Sequence, residues 1–279
     1  MTIRPMTKAD VAEGMRLKDS AGWNQLEADW LLLLRANPGG SFCMVCEERI
    51  VGTITTVNYH DRLSWIGMVL VDPAYRRTGI ATRLVNTALE SLASCTGVKL
   101  DATPEGREVY ARLGFIDEYA IIRMVVGAVP AIEIPEKGVE PVTAGDLDEI
   151  VAFDTPRFGV ERRSVLAALV TMDPTGSKVL RRKGEVVAAC FSRPGANMMM
   201  IGPVIAETES DAKAVVSAAL TQQLGGPVVM DVPGAQPDYL GWLTGLGFAR
   251  QREFTRMLRG DNVVGIPSQV FAVTGPEFG

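Results

Sequence analysis

Apolar residues in this chain gather in short runs broken by polar and glycine-bearing turns, and the period of the runs switches between that of strands and that of helices. The stretch from Val45 to Tyr59 predicts two strands turning at Glu48-Arg49, and Leu63 to Val71 predicts a central strand. Thr78 to Ala93 predicts a helix, Val98 to Asp101 a short buried strand, and Pro104 to Leu113 a helix stopped by Gly114. With a strand and one or two helices ahead of them and a strand behind, these elements predict a mixed sheet with helices on both faces.

The plan then occurs a second time. Pro5, Thr7 and Asp10 match Pro141, Thr143 and Asp146 at a constant offset of 136, and Arg49-Ile50-Val51-Gly52 matches Glu185-Val186-Val187-Ala188 at the same offset. Ile66-Gly67 answers Ile201-Gly202, Leu100-Asp101 answers Met230-Asp231, and Gly114-Phe115 answers Gly247-Phe248. Residues 127–140 carry two prolines and little periodicity, as a linker does. The expected organisation is therefore a first domain over 1–126, a linker over 127–140 and a second domain over 141–279.

Composition narrows the function. A chain of 279 residues with 47% hydrophobic residues can bury two ordinary cores. A net charge of −5 argues against a nucleic-acid partner and suits a cationic substrate. The strongest apolar run in the first fifty residues, Trp30 to Leu34, is far too short to span a bilayer, so no membrane partner and a cytoplasmic location are expected. Cys43 and Cys46 have C-x-x-C spacing but sit in an apolar strand pattern, with no second pair and one histidine in the chain. No metal is expected.

The chemistry concentrates where the central strand Val69-Leu70-Val71 runs through Asp72-Pro73-Ala74-Tyr75 into Arg76-Arg77-Thr78-Gly79-Ile80-Ala81-Thr82. Two arginines supply positive charge, Gly79 lets backbone approach a ligand, and the free amides of the following helix start favour an anion. Arginine, two residues, glycine, one residue, then alanine resembles the pyrophosphate loop of the GNAT N-acetyltransferase superfamily. Tyr110-Ala111-Arg112-Leu113-Gly114-Phe115 resembles the late helix of that family, which carries a tyrosine and ends in Gly-Phe. Ile201-Gly202-Pro203, Met230-Asp231-Val232-Pro233 and Phe254-Thr255-Arg256-Met257 are similar to the C-terminal domain of bacterial tandem GNAT proteins.

The resemblance implies an α/β (α+β) fold of two tandem GNAT-like domains, each a mixed, mostly antiparallel sheet with helices on both faces. It implies acetyl-CoA as co-substrate, held by the backbone of Val69, Leu70 and Val71 and by the loop of Arg76, Arg77, Thr78, Gly79, Ile80, Ala81 and Thr82. Acetyl transfer to a primary amine of a small molecule follows, with a non-catalytic acyl-CoA sensor and a protein lysine acetyltransferase as alternatives. Tyr110 stands where the family keeps a proton donor for the leaving sulfur, or else is a buried aromatic of its helix. Asp101, at the end of its strand, is either a proton acceptor or the cap of the next helix. His60 is the one histidine of the chain and falls in a turn between strands. Trp23, Asn24 and Trp65 are candidates to line the acceptor site, with Asp154, Arg157 and Glu161 as contacts from the second copy. The second copy places Asp211, Ala214 and Val216 where the first has Arg76, Gly79 and Ala81, so it is expected to bind no coenzyme A. Either a monomeric pseudo-dimer or a homodimer is compatible with the repeat.

Overall fold

The computed structural model describes residues 1–133 and 138–279; of the expected linker, 134–137 lie outside the described residues. The chain divides into two compact units. The first comprises Met1–Asp117, Met257–Asn262 and Glu277–Gly279, and the second Glu118–Arg256 and Val263–Pro276.

In the first unit the elements are β1 (Thr2–Pro5), α1 (Val11–Ser20), α2 (Glu27–Ala36), β2 (Phe42–Cys46), β3 (Arg49–Tyr59), β4 (Leu63–Val71), α3 (Ile80–Ser91), β5 (Gly97–Ala102) and α4 (Pro104–Arg112). Strands β1 to β5 lie side by side in that order, antiparallel except for the parallel pair β4–β5. Parallel neighbours need a crossover, and α3 supplies it. Its apolar stripe of Ile80, Leu84, Val85 and Ala88 is buried with Phe42, Val51, Ile54, Ile66, Val98 and Leu100. The β2–β3 hairpin turns at Glu47 and Glu48, both left-handed, one residue earlier than the sequence pattern predicts. Cys43 and Cys46 both fall on β2 and, being three residues apart, project to opposite faces. Burial pushes the Cys43 thiol up to about 11.

The second unit repeats this order with β7 (Val139–Pro141), α5 (Leu147–Phe158), α6 (Arg163–Met172), β8 (Lys178–Arg182), β9 (Glu185–Arg193), β10 (Met199–Ala206), α7 (Glu209–Leu220), β11 (Val228–Pro233), α8 (Pro237–Gly245), β12 (Ala249–Gly260) and β13 (Val270–Ala272). One strand departs from the expected division. β6 (Ile116–Val126), which a first domain over 1–126 would keep, pairs antiparallel with β11 over six residues and joins the second unit from Glu118 onward. Ile122, Met124 and Val126 are buried in that unit's core, and Arg123 donates two hydrogen bonds, at 2.8 and 2.7 Å, to the buried Asp231. In return, Met257 at the end of β12 is buried in the first unit's core. Val129, placed in the linker by the sequence, is buried and bonded to Gly225 and Gly226.

The repeat extends to atomic detail. Thr7 donates its amide and its hydroxyl to Asp10, each at 2.8 Å, in a capping box ahead of α1. Thr143 does the same to Asp146 at 2.7 and 2.6 Å ahead of α5. Each aspartate also pairs with an arginine, Asp10 with Arg4 and Asp146 with Arg181.

The Arg4 guanidinium beside Asp10 holds its carboxyl down at about 2, below the ordinary carboxylate range. A depressed folded-state pKa contributes stability that is complete above the unfolded value and lost as pH falls through the folded one. Urea unfolding at a series of pH values should therefore show Asp10→Asn costing up to about 2 kcal/mol near neutrality, with the difference from wild type shrinking between about pH 4 and pH 2.

Candidate functional site

The site is built on a parallel pairing that stops early. β4 and β5 pair only at Leu63–Gly97, Ser64–Val98 and Trp65–Lys99, although both strands run on. Just past that point β4 carries a bulge. Met68 is left-handed (φ 49°), the β3–β4 register slips between Thr53 and Thr55, and the Thr53 hydroxyl donates to the Met68 carbonyl at 2.9 Å. From Ile66 onward the β5 side of β4 makes no strand pair among the described residues. Val69, Leu70 and Val71 therefore present backbone groups along an opening gap.

β4 leads into a 3-10 turn, Pro73–Tyr75, capped by Asp72, whose carboxylate accepts from the Ala74 amide at 3.1 Å. Arg16 and Arg49 pair with the same carboxylate at 2.9 and 3.3 Å. Burial works to raise the Asp72 carboxyl, but the amide and the two guanidiniums outweigh it and leave it below its ordinary value. The turn is thus fixed to α1 and β3 before the loop begins.

The loop itself is exposed from Arg76 to Gly79. Arg77 (φ 62°) and Gly79 (φ 82°) are both left-handed, which turns successive amides toward one side. A Cβ on Gly79 would meet no atom within 4 Å, so the space above it is open and glycine serves the backbone conformation. The first bond from α3 back to the loop is Arg83 to the Gly79 carbonyl, 3.1 Å, leaving the Ile80, Ala81 and Thr82 amides ahead of the helical ladder. Arg76 Nε reaches the Val71 carbonyl at 3.5 Å, and the Thr78 hydroxyl donates to Tyr75 at 2.6 Å. Aligned amides, a helix start and two exposed guanidiniums fit a phosphate-bearing ligand.

The second unit differs at both points. Asp211, Ala214 and Val216 are fully buried inside α7, whose start is capped by Thr208 accepting from the Asp211 amide at 3.2 Å. Asp211 is also paired with Arg182. The gap is closed too: β13 pairs with β10 at Val204–Ala272 and Ile205–Val270, and the Val273 amide donates to the Asp231 carbonyl at 2.8 Å. Backbone from the chain itself thus occupies the place that β4 leaves open.

Tyr110 lies on α4, with its ring edge-on to Phe115 at 6.1 Å and over Gly106, where a Cβ would come within 2.9 Å of the ring. Its ring is partly exposed, yet burial around the hydroxyl pushes the phenol up to about 12. Thr103, not Asp101, caps α4, accepting from the Gly106 amide at 3.2 Å. Parallel partners share a face, and Lys99 pairs with Trp65, so Asp101 stands on the Trp65 face of the sheet while Tyr110 packs against the opposite, α3-covered face. Its counterpart in the second copy, Asp231, is the buried half of the pair with Arg123. His60 is exposed in the β3–β4 turn, left-handed at φ 58°.

On the Trp65 face lies a residue that the sequence pattern does not mark. Glu277, Phe278 and Gly279 are buried along β4: Glu277 over Gly67, Gly279 over the Trp65 ring, and the Phe278 carbonyl accepting from the Tyr59 hydroxyl at 2.7 Å. A Cβ on Gly67 would lie 2.6 Å from the Glu277 Cα, so only glycine admits this approach. Gln25, next to Trp23 and Asn24 in the α1–α2 connection, donates Nε2 to Glu277 Oε2 at 3.1 Å. Burying a carboxylate costs several kcal/mol before its partners offset it (on the order of 3–5 when a partner is removed). Asp154, expected as an acceptor contact, is instead fully buried in the second unit and bound through both oxygens by Arg162 at 2.8 and 2.7 Å. Arg162 also donates to Thr274 at 2.7 Å, which makes this pair an anchor for the β13 segment.

The geometry agrees with what the chain resembles among known proteins. The model of the acetyltransferase (GNAT) family matches residues 9–115, and that of the acetyltransferase (GNAT) domain matches residues 150–272. Holothin acyltransferase from Pseudoalteromonas sp. (strain SANK 73390) is 27% identical over 243 residues, covering 86% of this chain and 81% of that protein. A candidate acetyltransferase from Pyrococcus horikoshii superposes with a TM-score of 0.85 at 20% identity, over 100% of this chain and 95% of that one. A tandem GNAT protein from the clavulanic acid biosynthesis pathway superposes with a TM-score of 0.65 at 14% identity, over 94% and 99% of the two chains. With family models matched in both halves, on a strand that parts from its neighbour above a glycine loop, the chain belongs to the GNAT acetyltransferase family as two GNAT domains in tandem.

Proposed function

We propose that the first copy transfers an acetyl group from acetyl-CoA to a primary amine of a small molecule, and that the second copy binds no coenzyme A. The observation that carries this reading is the contrast between the copies: an open gap and exposed loop in one, a strand-filled gap and a buried, acidic helix start in the other. The relative named for acylating holothin supports acyl transfer as the reaction.

Arg76, Arg77 and the amides from Gly79 to Thr82 hold the pyrophosphate in this reading, and the backbone of Val69, Leu70 and Val71 aligns the pantetheine arm. Bound acetyl-CoA supplies an activated acyl thioester. Tyr110 keeps its proton to about 12, well above a thiol near 8.5, so its hydroxyl acts as a hydrogen-bond donor to the departing sulfur more than as a full proton source. Asp101 stands on the opposite face from Tyr110, where an acceptor amine would enter. Among the described residues no helix is long and apolar enough to cross a membrane.

Calorimetric titration with acetyl-CoA should give one site per chain. Gly79→Glu adds a left-handed strain and a carboxylate beside the anion, worth about 4 kcal/mol of repulsion at 4 Å and an effective dielectric of 20; the affinity should fall at least about a hundredfold. Two sites per chain would overturn the assignment of the second copy, and no binding would overturn the activity. Tyr110→Phe should lower kcat several-fold with the acetyl-CoA affinity unchanged, measured by thiol release with an amine panel. Because its phenol is raised, the wild-type rate should show no loss from Tyr110 ionisation up to about pH 10.

A further inference from the structure

We propose that Thr53 is a positioning residue for acyl transfer: its hydroxyl, by holding the Met68 carbonyl, aims the Val69 amide into the gap beside β4, toward the carbonyl oxygen of a bound thioester. This rests on the reading of the first copy as the acyl-transferring one. Register pairing secures β4 to β3 on either side of the bulge, Gly67 with Thr55 and Leu70 with Thr53. Between those pairs β4 carries two residues, Met68 and Val69, against Ile54 alone on β3, and the ladder assigns neither a partner. The orientation of the Met68–Val69 peptide is therefore left to other contacts. Met68 is left-handed, a conformation that a residue with a side chain keeps only where its surroundings over-determine it. Thr53, fully buried, supplies such a contact through its 2.9 Å bond to the Met68 carbonyl.

A trans peptide is planar, with its C=O and N–H pointing in opposite directions. A carbonyl drawn to Thr53, on the β3 side, sends the N–H of the same peptide away from β3, to the side where β4 makes no strand pair past Trp65 among the described residues. An N–H fixed in that direction beforehand needs no reorganisation to meet the charge that gathers on a thioester oxygen under attack. The second copy supplies the comparison. Its β10 slips at the matching place, between Ser192–Ile201 and Cys190–Val204, and there Ala189 stands for Thr53 and Pro203 for Met68. Ala189 has no hydroxyl to offer, and β13 pairs with β10 from Val204 onward. The threonine latch thus accompanies the open gap and is absent where the chain fills the gap with its own strand.

The test uses the full chain with acetyl-CoA labelled with carbon-13 at the acyl carbonyl, read by infrared difference spectroscopy, which needs no acceptor amine. A hydrogen bond to the thioester oxygen lowers its carbonyl stretching frequency, so wild type should show bound acetyl-CoA shifted down from the free thioester. Thr53→Val, which keeps the shape and removes the hydroxyl, should lose most of that shift and lower kcat in the thiol-release assay at least about tenfold, with the acetyl-CoA affinity within about threefold of wild type. Thr53→Ser, which keeps the hydroxyl, should restore both. If Thr53→Val fails to fold, Thr53→Cys, with its weaker S–H donor, decides the matter by the same spectrum and should lose part of the shift. A shift and a kcat that Thr53→Val leaves unchanged, even with a lowered melting temperature, would make Thr53 a structural residue only and overturn the proposal, as would a loss that Thr53→Ser does not rescue. Wild type that binds acetyl-CoA with its carbonyl at the free frequency removes the positioning role and leaves the acetyltransferase reading standing. No acetyl-CoA binding at all overturns that reading, and the proposal with it.

Discussion

The early end of the parallel ladder between β4 and β5 is the constraint on which the remaining features depend. Three paired residues hold the strands together, and a bulge at Met68 then turns β4 away, so unpaired backbone is created in the middle of a sheet. Such backbone is costly to bury and must find partners. The second copy keeps an equivalent slip, between Ile201 and Val204, and answers the same need with its own β13. The first copy leaves the need to be met by something else.

Electrostatics follows that division. Where the gap is open, the following helix starts at a left-handed glycine with two exposed arginines before it; where the gap is filled, it starts at a threonine cap with Glu209 and Asp211 in its first turn. A cation in a helix's first turn loses about 0.3–1 kcal/mol to the dipole and an anion gains as much. The second arrangement is therefore the one that stabilises the helix, and the first gives up a little helix stability to keep positive charge beside open amides.

The two faces of β4 divide the remaining work. The Ile66 face is covered by α3 and α4 and brings Tyr110 near the sheet, while the Trp65 face carries Asp101, Gln25, Thr55 and the buried segment Glu277–Gly279. Gly67 is the hinge of this arrangement, since any side chain there would displace the segment that supplies the buried carboxylate.

The sequence by itself determined the repeat, because matching residues recur at a nearly constant offset, and the order of elements and the arginine-glycine turn, because each is written in neighbouring residues. Leu63–Val71 was legible as a strand from its apolar run, and Thr7 with Asp10 and Thr143 with Asp146 as matching landmarks of the repeat, whose capping role the structure then supplied. Arg76, Gly79 and Ala81 were legible because charge, a left-handed turn and a helix start are local properties of adjacent residues. Only tertiary structure decided that β6 leaves its own copy for β11, since the apolar pattern of a strand names a face to bury and not a partner. The sequence likewise gave no sign that β13 fills one gap, that Arg162 takes up both oxygens of Asp154, or that Glu277 rests on Gly67. Those contacts join residues up to more than two hundred positions apart, and no spacing along the chain records which surfaces folding brings together.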